Sequence, residues 1–140
     1  MFLNGAFAKR GSPIFLIRSL GRRKDDQPHA RWAASYLGRA LELGGHQREH
    51  KWFTVVAGEV QVAVVKPDDW QSPRSDLPVA RYVLSAARPQ VLHVPAGHAT
   101  GSISLTADAI LMVFSSGTIA DARSDDFRFP VSQWPLEADS

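Results

Sequence analysis

The chain has 140 residues, sixteen basic and fourteen acidic, with a formal net charge of +2 at pH 7. This length suits one domain with one core, and basicity is local rather than global. There is no cysteine, which excludes disulfides, thiolate metal sites and cysteine nucleophiles and fits a reducing, cytoplasmic compartment.

The N-terminal segment contains no apolar run long enough to span a membrane. Its longest apolar run is Phe15-Leu16-Ile17, far short of the roughly 18 residues that span a bilayer, so we expect neither a membrane partner nor a signal peptide. A basic cluster at Arg18 and 22–24 would suit phosphate or nucleic acid. Because Asp25, Asp26 and Pro28 follow directly, we interpret it as a solvated loop and expect no nucleic-acid partner.

Short β-like runs then alternate with turn residues, and no stretch keeps the 3.6-residue period of a long helix. Residues 30–43 suit either a helix or a pair of short strands, since Gly38 interrupts them. The runs 52–56 and 60–65, joined by Ala57-Gly58-Glu59, predict a hairpin. A proline-rich loop over 66–78 and a strand over 80–84 follow.

A tight corner separates the later strands. The strand 91–94 is predicted to end at Pro95-Ala96-Gly97, because proline fixes φ and glycine permits a positive φ. The runs 102–105 and 109–115 predict a second hairpin, and the tail 117–140 is predicted to wrap the surface. This pattern predicts an all-β, single-domain jelly roll over residues 1–140, built around one pocket.

Histidines are the main candidates for chemistry, because no glycine-rich phosphate loop opens a helix and no Gly-x-Ser-x-Gly elbow occurs. If the two predicted hairpins face each other, His46, His50, His93 and His98 can share one cavity, where imidazoles bind metal or act as bases. Each is alternatively a surface histidine. Glu42, Glu49 and Lys51 add ionisable groups nearby; the lysine either holds a ligand oxygen or is a solvated edge residue.

The order of these features resembles the sugar-nucleotide cupins, namely the dTDP-4-dehydrorhamnose 3,5-epimerases and the dTDP-4-keto-6-deoxyhexose 3,4-ketoisomerases. The motifs that carry the resemblance are the run Lys51 to Val65, the corner segment 92–101 with the sequence LHVPAGHATG, and Ser124-Asp125-Asp126-Phe127-Arg128. The resemblance covers most of the chain, from about Arg39 to Pro130. It implies a cupin jelly roll, also called a double-stranded β-helix.

The epimerases carry an Arg-Gly-Leu-His motif, a lysine, a Pro-x-Gly-Phe-x-His-Gly corner and a late tyrosine. Their histidine takes a proton next to the keto group, the lysine stabilises the enolate and the tyrosine returns a proton. In this chain Glu42 stands at that histidine, Lys51 at the lysine, His98 at the corner phenylalanine and Thr100 at the corner histidine. Residues 113–119 contain no tyrosine. Counted back from Gly58, the ketoisomerase His-x-His pattern falls on Gly44 and His46.

The resemblance implies an epimerase or ketoisomerase acting on a nucleotide-linked keto-deoxysugar in surface polysaccharide biosynthesis. It assigns the base to His46 or Glu42 and enolate stabilisation to Lys51. Contacts to the sugar nucleotide are assigned to Arg39, His50, His98 and Arg128. We expect no cofactor and no metal, since Thr100 occupies the last ligand position of metal-dependent cupins. We also expect a homodimer, in which residues 1–20 serve as a strand-exchanging arm.

Two alternatives remain open at this stage. One is a non-catalytic cupin that binds a sugar or nucleotide sugar as an accessory or regulatory protein, since the acid and base positions of the epimerases are replaced. The other is a metal-dependent cupin, such as a dioxygenase, with His46, His50 and His98 as an altered ligand set.

Overall fold

The computed structural model describes residues 2–3, 14–18, 35–36, 39–40, 42–117, 121 and 123–136, with side chains from residue 43 onward. Twelve strands are bounded within these residues. They are β1 (Phe2–Leu3), β2 (Ile14–Arg18), β3 (Ser35–Tyr36), β4 (Arg39–Ala40), β5 (Glu42–His46), β6 (Lys51–Ala57), β7 (Glu59–Val65), β8 (Val79–Ser85), β9 (Val91–Val94), β10 (His98–Ser104), β11 (Ile110–Ser115) and β12 (Phe127–Pro130).

Two five-stranded antiparallel sheets form the molecule. The first sheet has the order β1-β9-β6-β11-β2 and the second sheet the order β12-β5-β10-β7-β8. The strands β3 and β4 make a separate two-stranded ribbon, which falls inside the ambiguous region 30–43. The all-β jelly-roll prediction is confirmed, because ten of the described strands form two facing antiparallel sheets with an apolar core between them.

The two predicted hairpins are wrong, although their strands exist. β6 belongs to the first sheet and β7 to the second, and β10 and β11 are divided in the same way. Gly58 makes the first crossing with a φ of 64°, a conformation that glycine adopts without steric cost. The same apolar strand-turn-strand pattern occurs when two strands pair within one sheet and when they belong to two facing sheets. The sequence therefore could not distinguish these two arrangements.

The corner after β9 is confirmed. Gly97 has a φ of 83°, and its N–H donates to the carbonyl oxygen of His46 at 2.8 Å. This bond ties the corner to the end of β5. The predicted loop over 66–78 and the strand after it, now β8, are also confirmed.

The core has two parts, one on each side of the second sheet. Between the sheets lie apolar side chains of β6, β7, β8, β9 and β11, with Leu92 and Val62 fully buried. On the outer face of the second sheet, residues of the tail cover the strands, and Trp134 is 0% exposed. The tail predicted to wrap the surface therefore supplies a strand, β12, and part of the core.

The N-terminal strands lie at the two edges of the first sheet. β1 pairs with β9 and β2 pairs with β11 within the same chain. The basic cluster begins at Arg18, the last residue of β2, and its members at 22–24 lie outside the described residues. In the part of the chain that is described, no helix is long and apolar enough to cross a membrane.

Candidate functional site

The strand β5 directs His46 toward the space between the sheets. Leu43 belongs to the outer core, and a side chain at Gly45 would meet the Trp70 ring at 2.7 Å on that same outer side. Because side chains alternate along a strand, Gly44 and His46 face inward. The cross-strand partner of His46 is His98 of β10, so both imidazoles approach the interior from the second sheet.

The hydrogen bond at Nδ1 sets the tautomer of His46. Nδ1 lies 2.6 Å from the carbonyl oxygen of Asp125, and a carbonyl oxygen only accepts, so Nδ1 carries the proton. Burial, and next the positive charge of Lys51, lower the pKa of His46 below its ordinary value of 6.5. The ring is therefore neutral near pH 7 and keeps a lone pair on Nε2, as a general base requires.

The first sheet contributes Lys51, which pairs with Val94 on one side and Ser115 on the other. Its Nζ lies 2.8 Å from Oε2 of Glu49 and donates to Oγ of Ser115 at 3.0 Å. Ser115 in turn donates to the same Glu49 oxygen at 2.8 Å. Oε2 of Glu49 is also 3.8 Å from Nδ1 of His46. We call His46, Glu49, Lys51 and Ser115 the charged cluster.

Asp125 holds the chain segment that follows His46. Its buried carboxylate accepts the backbone N–H groups of Gln47 at 2.8 Å and Arg48 at 2.9 Å. Its own carbonyl accepts the His46 bond described above. One residue just before β12 therefore fixes both the turn after β5 and the orientation of the imidazole.

Space is available beside the charged cluster at Gly44. A methyl group on Gly44 would meet no described atom within 4 Å. Gly44 pairs with Thr100 on one side and with Arg128 on the other. No described atom therefore crowds the inward face of β5 at Gly44, two positions before His46.

His98 and Arg128 are near this opening but already have local partners. Nδ1 of His98 lies 3.0 Å from the Pro95 carbonyl oxygen and 3.3 Å from that of Ala96, which leaves its Nε2 with the lone pair. The Arg128 guanidinium makes two bonds to the Asp126 carboxylate, at 2.7 Å and 3.1 Å. This ion pair is partly exposed, so exchange of Asp126 for a ligand phosphate costs little.

His50 is not brought together with His46. Its Nδ1 lies 2.9 Å from Nε2 of His93, and both rings lie nearly parallel to the Trp52 ring. Trp52 and His93 alternate with the inward residues Lys51 and Val94, so this group lies on the outer face of the first sheet. Burial, and next the charge of His50, lower the pKa of His93.

The remaining predicted site residues are placed by backbone alone. Arg39 pairs with Tyr36 in the β3-β4 ribbon, and Glu42 begins β5 opposite Pro130. Their roles, like those of all the site residues, stay predictions. Among the described residues there is no group of three or more His, Asp or Glu side chains arranged to hold a metal.

Sequence reasoning gave Ser115 and Asp125 no role, and it named Glu49 only as a neighbour of His46. Ser115 is the inward residue opposite Lys51 on an adjacent strand, a relation that depends on strand register. Asp125 acts over 79 positions of sequence, and its motif contributed to the family resemblance without assigning a role to this residue. The short spacing of Glu49 and Lys51 is the one sequence signal that these two residues belong to the same cluster.

Comparison with known proteins supports the fold. Neither a protein-family model nor a curated protein matches the chain. The structure is similar to cupins that act on sugar nucleotides, and the chain therefore has the cupin jelly-roll fold.

Three solved structures illustrate the similarity. The dTDP-4-dehydrorhamnose 3,5-epimerase of Bacillus anthracis, with TDP and pyrophosphate bound, is 20% identical with a TM-score of 0.55, over 81% of this chain and 56% of the epimerase. The second is a mutant of the 3,4-ketoisomerase QdtA of Thermoanaerobacterium thermosaccharolyticum, in complex with TDP-4-keto-6-deoxyglucose. It is 12% identical with a TM-score of 0.53, and the match covers 82% of this chain and 64% of the ketoisomerase. The capsular polysaccharide assembling protein CapF of Staphylococcus aureus is 15% identical with a TM-score of 0.51, over 60% and 23%.

The chain thus spans from about a quarter to under two thirds of the length of these three proteins. At these identities the likeness concerns the fold. A shared fold does not fix function, which depends on the residues of the site.

Proposed function

We propose that the chain is an epimerase- or ketoisomerase-like cupin that moves a proton next to the carbonyl of a nucleotide-linked keto-deoxysugar, in surface polysaccharide biosynthesis. One observation carries the proposal: a neutral imidazole, His46, and an ammonium, Lys51, stand on facing sheets beside an open stretch of β5. A base and an oxyanion stabiliser are the two groups that this chemistry needs. The nucleotide-sugar class is supported by the similar structures, which hold TDP or a TDP-sugar.

The proposed reaction begins at the carbon next to the ketone. Nε2 of His46 takes the proton from that carbon, and the electron pair of the broken C–H bond moves into the carbonyl to form an enolate. The Lys51 ammonium donates a hydrogen bond to the enolate oxygen. The proton then returns from His46 to carbon, so no external oxidant or reductant is required. General base catalysis of this kind contributes about 10²- to 10⁴-fold in rate.

A shift of the keto group is favoured over inversion. His46 and His98 both stand on the second sheet, so they reach one side of a ligand. Inversion needs a proton donor on the opposite side, where Lys51 is assigned to the enolate oxygen rather than to the carbon. In a keto shift, the carbon that bears a hydroxyl loses its hydrogen to His46 and an enediolate forms. The hydroxyl proton moves to the former carbonyl oxygen, and His46 returns its proton to the former carbonyl carbon on the same side.

Binding is proposed to use the space beside Gly44 and the arginine next to it. Arg128 lies across from Gly44 in the sheet and can exchange Asp126 for a pyrophosphate oxygen. By the family resemblance, Arg39 contacts the same part of the ligand, His98 contributes a further contact and Glu42 is an alternative base. The contact predicted for His50 is not retained, because its ring lies with His93 and Trp52 on the outer face of the first sheet. A cytoplasmic location is also part of this proposal.

Solvent exchange tests the reaction directly. Incubation with dTDP-4-keto-6-deoxyglucose in deuterium oxide is expected to place deuterium on the carbon next to the ketone, measured by proton NMR. His46→Asn and Lys51→Met should each slow the exchange about 100-fold or more, whereas His93→Asn, on the outer face, should leave the rate unchanged. Absence of exchange into any dTDP-4-keto-6-deoxysugar would rule out this substrate class.

A non-catalytic binding cupin is the second candidate. It is favoured by the Lys51 ammonium, which is already engaged by Glu49 and Ser115, and by the lack of tyrosine over 113–119. A thermal-shift measurement with dTDP separates the two candidates, because a ligand that binds only the folded state raises the Tm whether or not it reacts. A raised Tm without exchange would favour the binding protein.

We also propose that the chain forms a homodimer through the first sheet, whose edges are its N-terminal strands. Exchange of an edge strand between copies is a low-cost route to dimers. Light scattering at micromolar concentration is expected to give twice the chain mass of 15.4 kDa. A monomer mass would contradict the dimer.

A further inference from the structure

Glu49 is a buried carboxylate that the proposed reaction does not use directly. Its side chain is 4% exposed. Oε2 is bonded by Lys51 and Ser115, but Oε1 has no hydrogen-bond partner among the described residues. A carboxylate oxygen buried in this way costs free energy, so its presence beside a candidate base calls for a role other than stability.

Gly117 seals the unpartnered oxygen. A methyl group at Gly117 would lie 2.3 Å from Oε1 of Glu49, so the chain packs directly against that oxygen. Oε1 of Glu49 is buried, and residue 117 covers one side of it. Glu49 is therefore placed to act through its neighbours rather than by contact with a ligand.

The neighbours of Glu49 are the two groups that the reaction needs. The Lys51 ammonium is 2.8 Å from Oε2, and Nδ1 of His46 is 3.8 Å from the same oxygen. With His46 neutral, Glu49 and Lys51 balance each other. Once His46 carries a proton, Lys51 repels it and Glu49 attracts it, and burial leaves both effects weakly screened.

Among the described residues, the Asp125 carboxylate is the other negative charge that raises the pKa of His46, and its contribution is smaller than that of Glu49. His98 of β10 is its cross-strand partner. Asp125 presents a carbonyl oxygen to the ring and directs its carboxylate to two backbone N–H groups. Lys51 of β6 and Glu49 before it are the charged side chains of the charged cluster.

We propose that Glu49 is the positioning residue of this site: its charge holds the Lys51 ammonium on the inward face and compensates the proton that His46 takes up. The part concerning turnover rests on the proposed function, whereas the part concerning proton uptake by His46 does not.

The test is an NMR titration of the His46 ring in the full chain, with its signals assigned by their loss in His46→Asn. Glu49→Gln keeps the shape of the side chain and removes its charge, which should lower the proton affinity of His46 about tenfold. Lys51→Met should raise it by a similar factor, and the double variant should return near wild type. Asp126→Asn removes an exposed carboxylate close in sequence to Asp125 and is the matched control, expected to leave the affinity unchanged.

The proposal is overturned if His46 has the same proton affinity in folded Glu49→Gln as in the wild type. If Glu49→Gln does not fold, Glu49→Asp is the second test. It moves the carboxylate away by one methylene, which should lower the proton affinity of His46 about threefold. An unchanged proton affinity in Glu49→Asp would contradict the proposal. If wild-type protein catalyses exchange, Glu49→Gln should also displace the pH profile of the rate. If it does not, the proposed reaction fails while the titration still tests Glu49.

Discussion

The two faces of the second sheet differ in what they contain. The outer face is closed by aromatic packing, with Trp134 against Phe129 at a ring distance of 5.1 Å. The inward face around β5 has His46, a glycine with open space beside it and the charged cluster. Buried charge reduces stability. The apolar packing of the outer face and of the core between the sheets thus offsets the cost of the buried charged groups near β5.

The largest expected effect comes from opening the sealed face. Trp134→Ala removes a fully buried ring and its N–H bond to the Arg74 carbonyl oxygen. It should lower the free energy of unfolding by about 3–5 kcal/mol, measured by urea denaturation. Val131→Ala, on the exposed side of the same tail, should change it by less than about 0.5 kcal/mol. Equal effects of the two variants would contradict the assigned role of the tail.

The next effect concerns the link between the tail and the site. Asp125→Ala leaves the N–H groups of Gln47 and Arg48 without their acceptor. We expect a loss of about 2–3 kcal/mol in the free energy of unfolding, from two bonds to a charged group. Asp126→Ala, which breaks only a partly exposed ion pair, should cost about 1 kcal/mol or less. If both aspartates proved equivalent, the buried carboxylate would not hold the turn.

A gain in stability is expected when the buried charges are removed together. Glu49→Leu with Lys51→Met replaces the ion pair by apolar side chains and should raise the free energy of unfolding by about 1–2 kcal/mol. The same protein should lose exchange activity. A double variant that is both less stable and active would show that the pair is structural. Urea denaturation and deuterium exchange measure the two properties on one sample.

Titration of His46 should give a smaller, pH-dependent effect. Its pKa is lowered in the folded state by burial and by Lys51, so the unfolded chain binds more protons as the pH falls through 6.5. Stability must therefore decrease from pH 6.5 toward the lowered pKa, with a slope of at most about 1.4 kcal/mol per pH unit for one group. His46→Asn should reduce this slope. An unchanged slope would mean that other groups, such as His93, account for it.

The smallest change in stability is expected at the open position. Gly44→Leu fills space that no described atom occupies, so the free energy of unfolding should change by about 1 kcal/mol or less. The binding of dTDP, followed by calorimetry, should nevertheless be lost. Gly44→Ala is the matched control, expected to retain most of the affinity. Full binding by Gly44→Leu would place the ligand elsewhere.

The sequence predicted the strands better than their partners. Turn residues and alternation located the β9 corner and the strands on either side of Gly58, because those signals are local. Sheet membership and the contact of Asp125 with His46 depend on long-range packing, which no local pattern records. For the site, family resemblance indicated His46 and Lys51, whereas Ser115 could be recognised only once the register of β6 and β11 was known.

The position of Asp125 also bears on how the protein reaches its working state. The bond from His46 to Asp125 spans 79 residues of sequence, so a long loop must close before the bond can form. If β5 to β11 have folded but the tail has not docked, the His46 imidazole lacks the Asp125 carbonyl oxygen that orients it. The His46 imidazole thus takes its orientation only when the segment that carries Asp125 has docked beside β5.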